Sequence, residues 1–286
     1  MSFLKDLQAS INYIEENLEG KFDVAEAAAI AYVSKYHYQR MFQLLLGSSV
    51  GEYVRKRKMT LAAIDLKNPN EKVIDIALKY GYQSPESFSK AFKRIHGLNP
   101  SEVSKKGVSL LAYPKITFQI QIKGVKEMNY KVIRKEAFEV IGISKEFSTS
   151  DGENFQEIPK MWSNFNNSKD CEKLFNNSGK LGLLGICLDF DPENETMTYM
   201  IGVENTGELK DDRFVIREIN EFNYAVFDVF GKMPIAMQEA SKRVYSEWFP
   251  STNYKHAEGP EIEVYLPGDP TDDNYKSQIW IPIIKD

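Results

Sequence analysis

A carboxylate flanked by aromatic side chains is the feature of this sequence that most suggests chemistry. In the strand-like run PEIEVYLPG, residues 260–268, alternating side chains put Glu263 and Tyr265 on one face and aliphatic residues on the other. In the run SQIWIPI, residues 277–283, Trp280 likewise points away from a row of isoleucines. We therefore expect Glu263, Tyr265 and Trp280 to line one groove, where charge and ring faces together attract an amphipathic cation.

Other roles for Glu263 stay open at this point. It can be a solvated acid on an edge strand, or the surface around it can contact a protein such as RNA polymerase or gyrase. It can also be a general base, with a tyrosine or tryptophan orienting a water. The histidines of the chain, His37, His96 and His256, form no apparent Ser–His–Asp arrangement in the sequence, so we predict that the protein is not an enzyme.

The segment that contains Glu263 is loosely duplicated. Residues 131–144 resemble residues 214–228, and each is followed by a helix and two strands, so the unit is strand, helix, strand, strand. Two copies predict a pseudo-symmetric α+β domain. In the first copy, GLLGICLDFD parallels PEIEVYLPGD with Gly185 and Cys187 at equivalent alternation. The acid at position 263 is therefore not a requirement of the repeated fold.

The first 50 residues predict a helix followed by a helix-turn-helix. Asp23 and Glu26 form a capping box for the second helix, and Ser34, after a short break, can cap the third. The first helix ends at Gly20 and has one apolar face, because five residues recur at steps of three and four. These residues are Leu4, Leu7, Ile11, Ile14 and Leu18.

The same pattern occurs again later in the chain, with a turn at Gly81, Ser84 as cap and Pro85 at the first helical position. One predicted helix of about 19 residues, VGEYVRKRKMTLAAIDLKN, separates the two units and is about 28 Å long. Two recognition helices held about that far apart suit successive major-groove segments of DNA, which are about 34 Å apart. A basic cluster on the connecting helix can touch phosphates or can simply be solvated. Its members are Arg55, Lys56, Arg57 and Lys58.

Polar residues occupy the outward face of both predicted recognition helices. Tyr36, Gln39 and Arg40 stand at i, i+3 and i+4 on the first. Glu86 and Lys90 stand at i and i+4 on the second. Because Arg and Gln near a helix amino terminus are suited to guanine and adenine edges, these faces predict base contacts.

Composition and charge fit two domains with different partners. The chain has 286 residues, 42% of them hydrophobic, and no apolar run that would span a bilayer or start export, which predicts a cytoplasmic protein. Residues 1–107 carry 16 basic and 12 acidic side chains, a net +4, and the remainder carries 20 and 29, a net −9. The two cysteines, Cys171 and Cys187, predict reduced thiols and no metal cluster.

Residues 3–105 resemble the AraC/XylS family of bacterial transcription regulators. The resemblance is carried by SKYHYQRMF, by VRKRKMTLAA and above all by IALKYGYQSPESFSKAFKRIHGLNPSEV. It implies a sequence-specific DNA-binding domain with two base-reading helices. The positions that the motif carries over are Tyr36, Gln39 and Arg40 in the first helix and Pro85, Glu86 and Lys90 in the second. The first turn, AYVS, lacks the glycine that relatives often use.

Residues 128–285 resemble the GyrI-like effector-binding domain, through EIEVYLP, IWIPI, EWFPSTNY and the duplicated unit. The resemblance implies that Glu263 meets cationic, often multidrug, ligands between the repeats. Because some GyrI-like proteins resemble small-molecule hydrolases, it also leaves open a hydrolase with Glu263 as general base. The residues matched to the aromatic walls of that site are Tyr265, Trp280, Trp162, Tyr224 and Trp248. An AraC-type head on a GyrI-like tail resembles the Rob-type architecture.

Together these features predict a multidomain fold. An all-α double helix-turn-helix domain is expected at 1–107, a linker at 108–127, and an α+β GyrI-like domain of duplicated strand-helix-strand-strand units at 128–286. The predicted function is DNA-binding transcription regulation controlled by a small cationic or amphipathic effector. The predicted partners are two adjacent major-groove segments of double-stranded DNA, the effector and RNA polymerase, with no cofactor, metal or membrane.

Overall fold

A computed structural model of the protein divides into two compact units. One comprises residues 1–42 and 48–121, and the other comprises residues 122–286 together with 43–47. The structure describes residues 2–20, 22–105, 108–117, 127–149, 153–191 and 194–285. Among these residues, no helix is long and apolar enough to cross a membrane.

The segment predicted as a linker, 108–127, is described only in part, because residues 118–126 lie outside the described residues. Residues 108–117 have no regular secondary structure. They belong to the first unit, in which the Tyr113 backbone N–H donates to the Thr60 hydroxyl at 3.0 Å. The exact domain boundaries stay a prediction.

The first unit is helical and has the predicted double helix-turn-helix order. The five apolar residues predicted on one face of the first helix are all buried or half-buried in this unit. Leu7, Ile11 and Ile14 are at most 1% exposed. The helices are α1 (Ser2–Glu16), α2 (Val24–Ile30), α3 (Lys35–Leu46), α4 (Val50–Asp65), α5 (Val73–Lys79) and α6 (Pro85–His96). Helix α4 has 16 residues and is one turn shorter than the sequence predicted.

Each of the two helix-turn-helix turns has a residue with left-handed backbone angles, but the residue differs between the turns. Gly81 follows α5 with φ +81°, and Tyr32 follows α2 with φ +54°, so both occupy the left-handed region. Glycine enters this region at no steric cost, whereas a residue with a Cβ pays about 1–2 kcal/mol. The turn without glycine therefore forms with a strained Tyr32, whose side chain is 72% exposed.

The second unit is an antiparallel sheet with helices, as predicted. Its elements are β1 (Tyr130–Lys135), β2 (Phe138–Ser148), α7 (Asn154–Asn166), α8 (Lys169–Phe175), β3 (Leu183–Asp191), β4 (Thr196–Glu204), β5 (Val215–Ile219), β6 (Phe222–Phe230), α9 (Ile235–Arg243), α10 (Phe249–Ser251), β7 (Tyr254–His256), β8 (Ile262–Tyr265) and β9 (Lys276–Lys285). The strands are ordered β1-β6-β9-β8-β3-β4-β2-β5 in the sheet, and β7 pairs with β9 outside this order. A π-helical turn, Val244–Trp248, joins α9 to α10.

Strand register separates two residues that the sequence placed together. Trp280 pairs with Ile262, and Glu263 pairs with Ile279. Directly opposed residues share a face, so Trp280 lies on the aliphatic face of β8, and Glu263 lies on the other face. The predicted groove of Glu263, Tyr265 and Trp280 is wrong in this respect. Alternation within each strand was predicted correctly, but it leaves open which residue lies opposite which.

Candidate functional site

Helix α6 presents a polar outward face in the second helix-turn-helix. The Ser84 hydroxyl caps the helix by accepting the Ser87 N–H at 3.2 Å, as predicted. Glu86 and Lys90 are exposed, and Pro85 is half-buried. Two further cations on α6 are exposed and were not selected from the sequence, although their spacing from Lys90 was a usable signal. They are Lys93 and Arg94.

Helix α3 places its three predicted base-reading residues less favourably. Gln39 and Arg40 are half-buried, but Tyr36 is only 7% exposed. Its ring lies edge-on to His37 at 5.3 Å between centroids, so the aromatic surface is removed from water. The predicted outward position of Tyr36 is therefore corrected, and a base contact from Tyr36 would need a different side-chain position.

The basic cluster of α4 serves internal contacts. Arg57 donates to both carboxylate oxygens of Glu15 in α1, with its Nη2 at 2.7 Å from Oε2. Burial alone would raise the pKa of Glu15, but hydrogen bonds from Arg57 and Tyr53 lower it below its ordinary value. Lys56 pairs with Glu52 at 2.5 Å. Arg57 and Lys56 therefore already have carboxylate partners within the chain, so the four cations do not act together as a phosphate-binding cluster here.

Lys58 joins the two halves of the helical unit. Its Nζ donates to the carbonyl oxygens of Tyr80, at 3.0 Å, and Gly20, at 3.3 Å. Tyr80 ends α5, and Gly20 follows α1, so one ammonium group satisfies backbone acceptors from both. Partial burial lowers the pKa of Lys58. Helix α4 is thus bonded to the segment between α1 and α2 and to the end of α5.

In the second unit, three of the predicted ligand-binding residues form one cluster on the sheet. Glu263 and Tyr265 lie on β8, and Trp162 reaches them from α7. The Tyr265 hydroxyl donates to Glu263 Oε2 at 2.9 Å. The rings of Trp162 and Tyr265 meet edge to face with centroids 4.9 Å apart. All three side chains are half-buried, which leaves part of each available to a ligand.

Tyr199 on β4 completes this cluster and was not selected from the sequence. Its hydroxyl accepts from Trp162 Nε1 at 2.9 Å and donates to Glu263 Oε2 at 3.2 Å. Tyr199 is 3% exposed, and burial, with the nearby Glu263 charge, raises the pKa of its phenol well above the ordinary range. The phenol therefore stays neutral and can donate. We call Glu263, Tyr265, Trp162 and Tyr199 the carboxylate cluster.

The remaining predicted ligand residues lie elsewhere in the second unit. Trp280 and Tyr224 belong to the core on the opposite sheet face, with ring centroids 5.7 Å apart. Trp248 stacks on Tyr254 with ring centroids 5.5 Å apart, and it meets Phe227 and Tyr130 edge to face. These three aromatic residues are at most 5% exposed, so they act as core residues here. Their residue types resembled a ligand wall, but aromatic residues are equally common in cores.

Two family models match the chain. One, described as integron-associated effector binding protein (Cass2), matches residues 131–283, which is more than half of the chain. The other, described as helix-turn-helix domain, matches residues 27–106. The carboxylate cluster lies within the first match, and the second match begins inside α2 and includes α3 to α6.

Known proteins match each part. The HTH-type transcriptional activator AarP of Providencia stuartii is 40% identical over 108 residues, which is 36% of this chain and 80% of AarP. The regulatory protein SoxS of Salmonella typhimurium is 33% identical over 102 residues, 36% of this chain and 95% of SoxS. A solved structure of SAV2435 bound to tetraphenylphosphonium covers 55% of this chain and 94% of its own, at 23% identity and a TM-score of 0.48.

Proposed function

The chain belongs to the integron-associated effector-binding protein family and carries the helix-turn-helix domain of AraC-family DNA-binding regulators, and from this premise we propose that a cationic or amphipathic effector binds at Glu263. The effector would set the affinity of the helical unit for DNA. We expect this to take place in the cytoplasm, where the DNA is. RNA polymerase, as a further partner of a regulator, stays a prediction.

The carboxylate cluster is the observation that carries the proposal. Two tyrosine hydroxyls donate to one oxygen of Glu263, which fixes the position of the carboxylate. The adjoining Trp162 and Tyr265 rings supply faces and edges that attract organic cations. A fixed negative charge beside partly exposed aromatic rings suits a lipophilic cation better than an anion or a neutral sugar.

The base-reading residues that we propose are the sequence-derived set, restricted by exposure. Glu86 and Lys90 of α6 are exposed, and Gln39 and Arg40 of α3 are half-buried, so these four are the main candidates. Lys93 and Arg94 would contact phosphates, because cations flanking a recognition helix commonly position it on the backbone. Pro85 and Tyr36 would contribute by shape at most.

A hydrolase at the same cluster receives less support. The Tyr199 hydroxyl is already bonded to Trp162 and Glu263, and the matched relatives carry the names of transcription regulators. If the carboxylate cluster were a hydrolase site, the protein would turn over an electrophilic substrate, and Glu263→Gln would abolish that turnover.

Calorimetric titration of the full chain with tetraphenylphosphonium tests the proposal. We expect the native protein to bind and Glu263→Gln to lose about 1.5–3 kcal/mol of binding free energy, the range for a charged interaction partner. Glu258→Gln is the matched control, because Glu258 is exposed on the same unit. Absence of binding heat in the native protein, or equal affinity in Glu263→Gln, would overturn the proposal.

A further inference from the structure

Gly185 and Glu263 face each other at the centre of the duplicated unit. They pair directly across β3 and β8. They also occupy equivalent positions in the two sequence copies, GLLGICLDFD and PEIEVYLPGD. On their outer sides, Gly185 pairs with Ile201 and Glu263 pairs with Ile279, so the neighbouring strands repeat the arrangement. The two-fold relation between the copies therefore passes between Gly185 and Glu263.

A symmetric pair at this point would not give a useful site. Directly opposed residues in an antiparallel pair have Cβ atoms about 5 Å apart, where two like charges repel. Because one copy has Gly185 where the other has Glu263, only one carboxylate lies beside the two-fold axis between the copies, on the side of α7. The other position, which has no side chain, becomes space for neighbouring groups.

The space above Gly185 is filled by the carboxylate cluster. A Cβ at position 185 would lie 2.3 Å from the Tyr199 hydroxyl, and 3.2 Å from both Glu263 Oε2 and Trp162 Cζ2. A contact of 2.3 Å is one that real Cβ atoms essentially never show, so Tyr199 would have to move. Because Tyr199 is buried, its hydroxyl cannot move far without losing its bonds to Trp162 and Glu263.

We propose that Gly185 is the positioning residue of the effector site. Its missing side chain admits the Tyr199 hydroxyl, which in turn aligns Trp162 and the single carboxylate Glu263 for one cation per chain. The ligand part of this inference rests on the proposed function, whereas the packing part does not. Gly185 itself need not touch the effector.

The test is a double-mutant cycle in the full chain, with Gly185→Ala, Tyr199→Phe and the double variant. Each protein is titrated with tetraphenylphosphonium and melted. Gly185→Ala should lower the affinity about tenfold or more and lower the melting temperature. In the Tyr199→Phe background, where the obstructing hydroxyl is absent, the same change should alter affinity by less than about threefold and cost much less stability.

Gly202→Ala is the matched control. Gly202 lies on the neighbouring strand β4, and a Cβ there would lie 2.7 Å from Val140 Cγ1 and from the Ile141 carbonyl oxygen, away from Tyr199. It should lower the melting temperature without lowering cation affinity in the folded protein. A general strain on the sheet would instead lower affinity equally in both glycine variants, and this result would overturn the inference.

The outcomes separate the two claims. If the native chain does not bind the cation, the proposed function fails, and the melting cycle still tests Gly185. If Gly185→Ala does not fold, recovery of folding in the double variant supports the inference, and continued unfolding contradicts it. Equal effects of Gly185→Ala with and without the Tyr199 hydroxyl also contradict it.

Discussion

A carboxylate binds a cation well when its own position is fixed before the cation arrives. Glu263 meets this condition because Tyr199 and Tyr265 both donate to its Oε2 atom. The acid and Tyr265 were identifiable from strand alternation, and Trp162 from family resemblance. Tyr199 was not, because it lies 64 residues away in sequence and only the pairing of β3 with both β4 and β8 brings it to Glu263.

A second buried tyrosine provides a contrast at the same scale. The Tyr224 hydroxyl has no hydrogen-bond partner among the described residues, and the side chain is fully buried in the core with Trp280. Burying an unsatisfied hydroxyl costs about 1–3 kcal/mol, so Tyr224→Phe should raise the free energy of unfolding by about 1 kcal/mol. Denaturant unfolding measures this change. Cation affinity should be unaffected, and a large loss of affinity would place Tyr224 in the effector site after all.

At the scale of elements, α4 is a framework for the two helix-turn-helix pairs. Periodicity and capping residues predicted the helices of the first unit, including the caps Ser34 and Ser84. The sequence did not show that Arg57 and Lys58 would be used internally, because their partners are distant in the chain and a basic run looks the same whether it meets phosphate or carbonyl oxygen. The error over Trp280 has a similar origin, since alternation within β8 and within β9 does not determine which residues of the two strands pair.

The ion pair between α1 and α4 predicts a stability effect with a defined pH dependence. Arg57 and Glu15 are each 11% exposed, so Arg57→Met leaves a nearly buried carboxylate without its cation and should cost about 2–4 kcal/mol in unfolding free energy. The native pair lowers the pKa of Glu15 from 4.5. Its contribution is therefore present above pH 4.5 and is lost as the pH falls through the lowered pKa.

Urea unfolding at several pH values tests this. The gap between the native protein and Arg57→Met should be widest near neutral pH and should narrow in acid. Lys56→Met is the control on the same helix, and its partly exposed pair with Glu52 should be worth less than about 1 kcal/mol. A gap that does not change with pH would show that Arg57 contributes through packing alone.

The two turns predict opposite changes in the free energy of unfolding when glycine is introduced at position 32 and removed from position 81. Tyr32→Gly removes the left-handed strain but adds freedom to the unfolded chain, so the free energy of unfolding should rise by about 0.5 kcal/mol. Gly81→Ala imposes that strain and should lower it by about 1–2 kcal/mol. Thermal melting of the two variants measures both. A loss of stability in Tyr32→Gly would mean that contacts of the tyrosine side chain outweigh the backbone strain.

At the scale of the whole molecule, the two parts of the sequence carry opposite net charge. Residues 1–107 carry 16 basic and 12 acidic side chains, and the remainder carries 20 and 29, which suits the proposed DNA partner of the first part and the proposed cationic effector of the second. An effector changes DNA affinity only if it binds two states of the protein with different affinity, and the coupling is then reciprocal. Regulation therefore predicts a measurable free-energy coupling between Glu263 and the recognition helices.

The most direct test of the account measures DNA affinity of the full chain with and without saturating tetraphenylphosphonium. DNA selected by the protein from a random pool supplies the target, at one fixed salt concentration. The account predicts that the cation shifts the DNA dissociation constant of the native chain by about 5- to 150-fold and leaves that of Glu263→Gln unchanged. A cation that binds the native chain without shifting its DNA affinity, or that shifts Glu263→Gln equally, would contradict it.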